Sequence, residues 1–252
     1  MLPTEPIHPL KEVWLRPRRV FRELATRPIG IVDYLLAAAQ GMGNFLALYR
    51  TEGAGAHSSV EEILANSCLY GAVAGVASMF LMAVIYRRLG ARAGGKSTLP
   101  PVVHVLAYGG IPMVASLAMW VLTALLAGEA TFVETPRPDL EGFLVLLLHL
   151  QFISYVLLLV WSVVLQVMGF SEIQGLAVRK AFGVWLLGQI IGFLVSLFLA
   201  LIIRLLSFGL HRLTGSDPLE SARLWTRARP RWTRVILGAP AFVGSFALSG
   251  LT

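Results

Sequence analysis

Charge is scarce in this sequence of 252 residues. Charged residues make up 14% of the chain, whereas a soluble domain of ordinary composition carries charge on about a quarter of its residues. Hydrophobic residues make up 56%, and long stretches hold no formal charge at all. A charge-free stretch of about eighteen residues is long enough to cross the hydrocarbon core of a bilayer. The shortage of charge therefore argues against a soluble enzyme and predicts an integral membrane protein.

Cysteine and catalytic motifs are also scarce. Cys68 is the single cysteine, which excludes an intramolecular disulfide and a thiolate metal cluster. The first 28 residues lack the apolar core of a cleavable signal, so we expect the first span to act as an uncleaved anchor. Neither a phosphate-binding glycine loop nor an HExxH helix is present. We predict no catalytic, cofactor-binding or metal-binding residue, and we expect a protein that is not an enzyme.

Five apolar segments are long enough to span a membrane. The first is the least apolar, because Asp33, Gln40 and Asn44 interrupt it. A sixth segment, 235–251, is rich in Gly, Ala and Pro, and we do not expect it to span. The predicted fold is all-α, an integral membrane bundle of five transmembrane helices with amphipathic interfacial helices. The predicted spans are 29–49, 63–86, 102–127, 143–170 and 182–208.

The positions of the basic residues predict the orientation. They fall before the first span and in the loops after the second and fourth, whereas the loops after the first and third are mainly acidic. The N-terminus is therefore expected in the cytoplasm, and the protein in a bacterial cytoplasmic (inner) membrane as a multi-pass chain. The arginines after Leu210 contradict this alternation, so the side on which the tail lies stays open.

Two basic segments are predicted at the membrane surface. Apolar residues recur at helical spacing over Val13 to Leu24, with arginines between them, as in a helix that lies on anionic headgroups. The tail again combines tryptophan with arginine. We therefore divide the chain into a cytoplasmic segment 1–28, a transmembrane domain 29–208 and a basic tail 209–252. The predicted interface residues are Trp14, Arg16, Arg18, Arg19, Phe21, Arg22, Trp225 and Trp232.

Small residues on two spans predict close helix packing. They recur every four residues, and packing within one chain is favoured over dimerisation, although both stay open. In the third span a proline follows two glycines, which predicts a break or kink. The predicted packing residues are Ser67, Gly71, Gly75, Gly188, Gly192 and Ser196, and the predicted break residues are Gly109, Gly110 and Pro112.

Two histidines, His104 and His149, lie within the predicted spans. In the predicted topology they are at opposite faces of the membrane, too far apart to share a metal. Packed or interfacial histidines are therefore expected, and a haem or pigment site on one of them is the alternative. The centres of spans two to five hold no carboxylate, lysine or arginine, which argues against a charge-coupled transporter.

Four segments together resemble the Yip family (Ypt-interacting proteins), in its bacterial form. They are Trp161-Ser-Val-Val-Leu-Gln-Val-Met-Gly-Phe-Ser-Glu-Ile-Gln-Gly175 with Val178-Arg-Lys-Ala181, Tyr86-Arg-Arg-Leu-Gly90 with Gly94-Gly95, Leu106-Ala-Tyr-Gly-Gly-Ile-Pro112, and Trp14-Leu-Arg-Pro17 with Phe21 and Arg22. The resemblance implies a five-helix membrane domain with a cytoplasmic N-terminus. In eukaryotic relatives it implies membrane trafficking through contacts with small GTPases. It implies no reaction for bacterial members.

The leading hypothesis is a non-enzymatic membrane protein that scaffolds, assembles or organises membrane partners or lipid. Its expected partners are membrane lipids and other integral membrane proteins. Nucleic acid is not expected, because the arginines lie at the ends of apolar segments and no nucleic-acid-binding motif accompanies them. The alternatives are a transporter or channel for a neutral or lipidic substrate, and a cofactor-carrying subunit of a redox or photosynthetic complex.

Overall fold

The computed structural model describes residues 8–133 and 142–213, and in these ranges every regular element is a helix. Two short turns of 3-10 helix are present, at Ala54–Ala56 and Gly128–Phe132. A π-helical turn, Ser67–Gly71, joins the helix that ends at Asn66 to the helix that begins at Ala72. The α-helices are α1 (Pro9–Glu12), α2 (Pro17–Leu24), α3 (Ile31–Thr51), α4 (Val60–Asn66), α5 (Ala72–Arg92), α6 (Leu99–Gly109), α7 (Ile111–Ala127), α8 (Gly142–Gln174) and α9 (Val178–Leu213).

The prediction of five membrane-spanning helices is confirmed for the described residues. Each predicted span overlaps one apolar helical segment. The second to fifth segments begin one to four residues earlier than predicted, whereas the first begins two residues later. Five helical segments are long and apolar enough to cross a membrane: Ile31–Thr51, Val60–Arg92, Leu99–Phe132, Gly142–Gln174 and Val178–Leu199.

The first span, which is the least apolar in sequence, lies at the centre of the fold. Half of its most apolar window is buried inside the protein, against 11% for the fourth span. Two of its polar side chains find protein partners, since Asp33 contacts His104 and Gln40 donates to the backbone of α6. Its polarity therefore indicates contact with other helices.

The first and second spans cross backbone to backbone at three glycines. A Cβ at Gly41 would overlap the carbonyl oxygen of Gly71, and one at Gly75 would lie 2.8 Å from the Cα of Gly41. Two of the small residues that the sequence indicated, Gly71 and Gly75, are thus at this crossing. Ser67 is buried one turn earlier, where its hydroxyl donates to the carbonyl of Ile63. No apolar pattern indicated Gly41, because it lies in the most polar span.

The chain divides into two compact units, residues 1–188 and 189–252. The first contains α1 to α8 and the start of α9. In the second, the structure describes the rest of α9, which carries Gly192 and Ser196. Trp225, Trp232 and the sixth apolar segment 235–251 lie outside the described residues.

Candidate functional site at the basic end of the bundle

Helix α2 packs on the bundle with its apolar face inward. Val20 and Phe21 are fully buried, as is Val13 just before the helix, and α2 contacts α6 and α8. The ring of Phe21 lies over Gly169, where a Cβ would come within 3.0 Å of its Cδ2. The sequence assigned Phe21 to the membrane surface; in the structure the fourth span covers it. A helical pattern with apolar and basic faces cannot distinguish a lipid surface from a protein surface.

The opposite face of α2 is basic and exposed. Arg16, Arg18, Arg19 and Arg22 are all exposed, whereas Trp14 is partly buried. Arg22 pairs with Glu172 at the end of α8, with 2.8 Å between Nη2 and Oε1. This pair adds a polar contact to the apolar docking of α2.

The loops α5–α6 and α8–α9 lie at the same end of the bundle as α2, and we call this the basic end. Each exposed or half-exposed carboxylate described there is paired with an arginine: Glu12 with Arg19, Glu23 with Arg27 and Glu172 with Arg22. The remaining exposed cations give this end a net positive charge. They are Lys11, Arg16, Arg18, Arg87, Arg88, Arg92, Lys96, Arg179 and Lys180.

A buried hydrogen-bonded pair joins the first and third spans just inside the basic end. Nδ1 of His104 lies 2.7 Å from Oδ1 of Asp33, and both side chains are 3% exposed. The other ring nitrogen, Nε2, lies 3.1 Å from the carbonyl oxygen of Arg27. The second carboxylate oxygen of Asp33 accepts a hydrogen bond from the backbone N–H of Gly30, at the start of α3. The pair therefore ties spans one and three to the linker that follows α2.

These contacts determine how many protons the pair holds. A carbonyl oxygen only accepts, so Nε2 of His104 carries a hydrogen that it donates to Arg27. A second proton occupies the 2.7 Å contact between Nδ1 and Asp33. With these two protons the pair has no net charge, which lowers the cost of burying it. The predicted topology placed Asp33 and His104 at the same end of the first and third spans, but nothing in the sequence linked them.

The second, fourth and fifth spans meet around Tyr86. Its ring centre is 4.6 Å from that of Phe170, and its hydroxyl donates to the carbonyl of Trp185 at 3.2 Å. A Cβ at Gly188 would overlap the Tyr86 ring, so Gly188 lets α9 approach α5 closely. The indole N–H of Trp185 donates to the side chain of Gln166 on α8.

Gln174, the last residue of α8, fills the space between two glycines. A Cβ at Gly90 or at Gly95 would overlap its side-chain amide. After it, Gly175 has a positive φ of 65°, and this left-handed turn leads into α9. Two of the segments that carry the family resemblance, the one that contains Gly90 and Gly95 and the one that ends at Gly175, thus meet at the basic end of the fold.

The third span is broken at Gly110, between α6 and α7. Pro112 occupies the first turn of α7, where its missing N–H costs little. Side chains from two other spans bind carbonyls beside the break: Gln40 donates to Ala107 and Ser162 donates to Gly109, each at 2.9 Å. Both glycines are close to glutamine side chains, Gly109 to Gln166 and Gly110 to Gln40. The break is therefore built into the contacts among spans one, three and four.

The two histidines differ in their surroundings. Both ring nitrogens of His104 are engaged by the protein, whereas His149 is exposed, with Nδ1 2.7 Å from the carbonyl of Val145 on its own helix. Within 8–133 and 142–213 no three His, Cys, Asp or Glu side chains converge in a way that could hold a metal ion.

Comparison with known proteins identifies one family. The model of the Yip1 domain matches residues 11–201 of the chain, from the helix before α2 into α9. No curated protein and no solved structure matches significantly.

Proposed function

The chain belongs to the Yip1 domain family, and we propose that it is a non-enzymatic membrane protein that scaffolds or organises other integral membrane proteins and lipid. The observation that carries the proposal is the docking of α2. Its apolar face is covered by α6 and α8, and its arginines are exposed. A folded basic surface of this kind suits an acidic segment of a partner protein.

Two arginines are suited to testing this surface. Arg16 and Arg18 are exposed and have no ion-pair partner among the described residues. Their replacement should therefore leave the fold intact. Arg179 and Lys180 are also exposed, on α9 at the same end, and provide a variant with the same change in charge.

The experiment is native purification of the full chain in mild detergent, followed by mass spectrometry of the intact complexes. We expect a co-purifying membrane protein that is lost from R16Q/R18Q and kept by R179Q/K180Q. A strictly monomeric wild-type protein with neither partner nor lipid would contradict the scaffold function. Equal loss from both variants would show that the α2 surface is not the docking site.

We also propose that the basic end faces the cytoplasm of a bacterial cell, as the distribution of Lys and Arg supports. In a Cys68→Ser background, Lys96→Cys probes the basic end and His57→Cys the opposite end, since both positions are exposed. A membrane-impermeant maleimide applied to intact spheroplasts should label His57→Cys alone. Labelling of Lys96→Cys alone would reverse the topology.

The two other functions predicted from the sequence have their own tests. For a transporter, flux into liposomes should be lost on Pro112→Ala. For a cofactor-carrying subunit, the purified protein should absorb visible light. The engagement of both His104 nitrogens by Asp33 and Arg27 favours the scaffold over a haem site on this residue.

A further inference from the structure

The fourth span packs on the third in two different ways. Next to the basic end, α8 packs on α6: Ser162 donates to the carbonyl oxygen of Gly109 at 2.9 Å, and the side chain of Val105 lies against Gly169. Beyond the break at Gly110, α8 packs on α7 instead. We call this part of the bundle, away from the basic end, the far half.

Two polar side chains are buried in the far half without a partner. Gln151 on α8 is 2% exposed, and Trp120 on α7 is 4% exposed. Neither the amide nitrogen and oxygen of Gln151 nor the indole nitrogen of Trp120 has a hydrogen-bond partner among the described residues. A polar group that gives up its hydrogen bonds to water and gains none in the protein raises the free energy of the packed state.

Helical geometry places these two side chains at about the same depth. Gln151 is eleven residues before Ser162, which is about three turns, so it lies on the face with which α8 packs on the third span. Trp120 is eleven residues after Gly109, the residue that Ser162 contacts, and belongs to the buried face of α7. The two spans run antiparallel, since Ser162 meets Gly109 and Gly169 meets Val105.

The opposite face of α7 is exposed. Leu122 and Leu125 on this face are exposed and belong to an apolar groove whose described lining comes from α7 alone. The break at Gly110 separates α7 from α6, and the hydrogen bonds of Gln40 and Ser162 hold α6 in place. A break of this kind lets one half of a span move while the other half keeps its contacts.

We propose that α7 and α8 separate in the far half and that water then binds Gln151 and Trp120. Water both donates and accepts hydrogen bonds, so it satisfies the amide and the indole N–H that the packed arrangement leaves unpaired. The unpaired groups raise the free energy of the packed state and not of the open state, and they therefore favour opening. The site does not depend on the scaffold function.

Hydrogen–deuterium exchange of the full chain in lipid nanodiscs, read by mass spectrometry, tests the opening. Gln151→Leu removes the amide and keeps a side chain of similar size, so the backbone amides of α7 should exchange at least about tenfold more slowly than in the wild type. Trp120→Phe removes the indole N–H and should slow the same amides. The matched control is Gln166→Leu on the same helix, whose amide already accepts a hydrogen bond from Trp185; it should not slow exchange in α7.

The entry of water is tested separately with a thiol reagent, in a Cys68→Ser background. Leu148→Cys lies one turn before Gln151, at a buried position of α8, and Leu165→Cys is a fully buried control on α8 outside the far half. A small water-soluble thiosulfonate should modify Leu148→Cys, and more slowly when Gln151→Leu is also present. It should not modify Leu165→Cys.

Three results would overturn the proposal: exchange in α7 that is as fast in Gln151→Leu as in the wild type, equal slowing by Gln166→Leu, and equal modification of Leu148→Cys and Leu165→Cys. If Gln151→Leu fails to fold, Trp120→Phe still decides. Neither measurement depends on a co-purifying partner, so this site and the scaffold function can fail separately.

Discussion

Asp33 of the first span and His104 of the third are joined by a 2.7 Å contact between Oδ1 and Nδ1, out of reach of solvent. Removing one member leaves the other buried without its partner, which costs more than the pair contributes. The free energy of unfolding should therefore respond differently to a single and a double substitution.

His104→Leu should lower the free energy of unfolding by about 3–5 kcal/mol, because Asp33 is left buried and unpaired. The double variant D33L/H104L should recover most of that loss, apart from about 1 kcal/mol for each of the hydrogen bonds to Gly30 and to the Arg27 carbonyl. Unfolding in mixed micelles measures both, and His149→Leu, at an exposed histidine, is the control. If the effects of Asp33→Leu and His104→Leu simply added up to that of the double variant, the two residues would not form a coupled pair.

At the crossing of the first two spans, a single methyl group should be harmful. Gly41→Ala places a Cβ on the backbone of Gly71 and Gly75, and this backbone cannot move aside unless the two helices separate. We therefore expect the free energy of unfolding to fall by at least about 2 kcal/mol, as in overpacked cores. Gly43→Ala on the same helix meets only the carbonyl oxygen of Met113, at 3.9 Å, and should be neutral or slightly stabilising because alanine favours helix. Equal effects of the two substitutions would contradict the close crossing.

The damage caused by a methyl group at Gly90 should be reversed by shortening the side chain of Gln174, which contacts it. Gly90→Ala also creates an overlap, but with the far end of a side chain that can be shortened. We expect Gly90→Ala to lower the midpoint of thermal unfolding and G90A/Q174A to restore most of the loss, since the truncated side chain leaves room for the new methyl group. Circular dichroism follows both transitions, and a double variant no more stable than Gly90→Ala would refute the contact.

Docking of α2 should depend on Phe21 more than on the ion pair of Arg22 with Glu172. Phe21→Ala removes a fully buried ring, which costs about 3–5 kcal/mol in a packed core, so trypsin should cleave within α2 at least about tenfold faster. Glu172→Gln breaks a pair whose arginine is 74% exposed and should change the rate less than about fivefold. Leu15→Ala, at an exposed position, is the control. If Glu172→Gln had the larger effect, α2 would be held by charge.

Much of the fold could be predicted from local sequence. Charge-free length identified the five spans, because a bilayer imposes the same length on every crossing, and the Gly-Gly-Ile-Pro sequence indicated the junction of α6 and α7. The site was harder to predict. Phe21 and its arginine neighbours have the same pattern whether lipid or α8 covers the apolar face, and only the packed structure shows which one does.

The contacts of Asp33 and Gln40 show a second reason why the fold could not be fully predicted from the sequence. Polar residues lower the mean hydropathy of a span and make it look less suited to lipid. Here they lie at the centre of the bundle, where His104 and the backbone of Ala107 satisfy their hydrogen bonds. Hydropathy measures each segment alone, whereas these hydrogen bonds belong to pairs of segments. The same limit applies to the small residues. The sequence indicated Gly71 and Gly75, but not Gly41, against which they pack, because Gly41 is part of no repeating pattern.

The break at Gly110 has a consequence for what could pass through this protein. A broken membrane helix can offer bare carbonyl oxygens to a cation, as the unwound helices of some transporters do. Here the oxygens of Ala107 and Gly109 already accept hydrogen bonds from Gln40 and Ser162. A cation would have to displace both side chains before it could shed its water at these two oxygens, so the break does not offer it a ready-made set of carbonyl ligands.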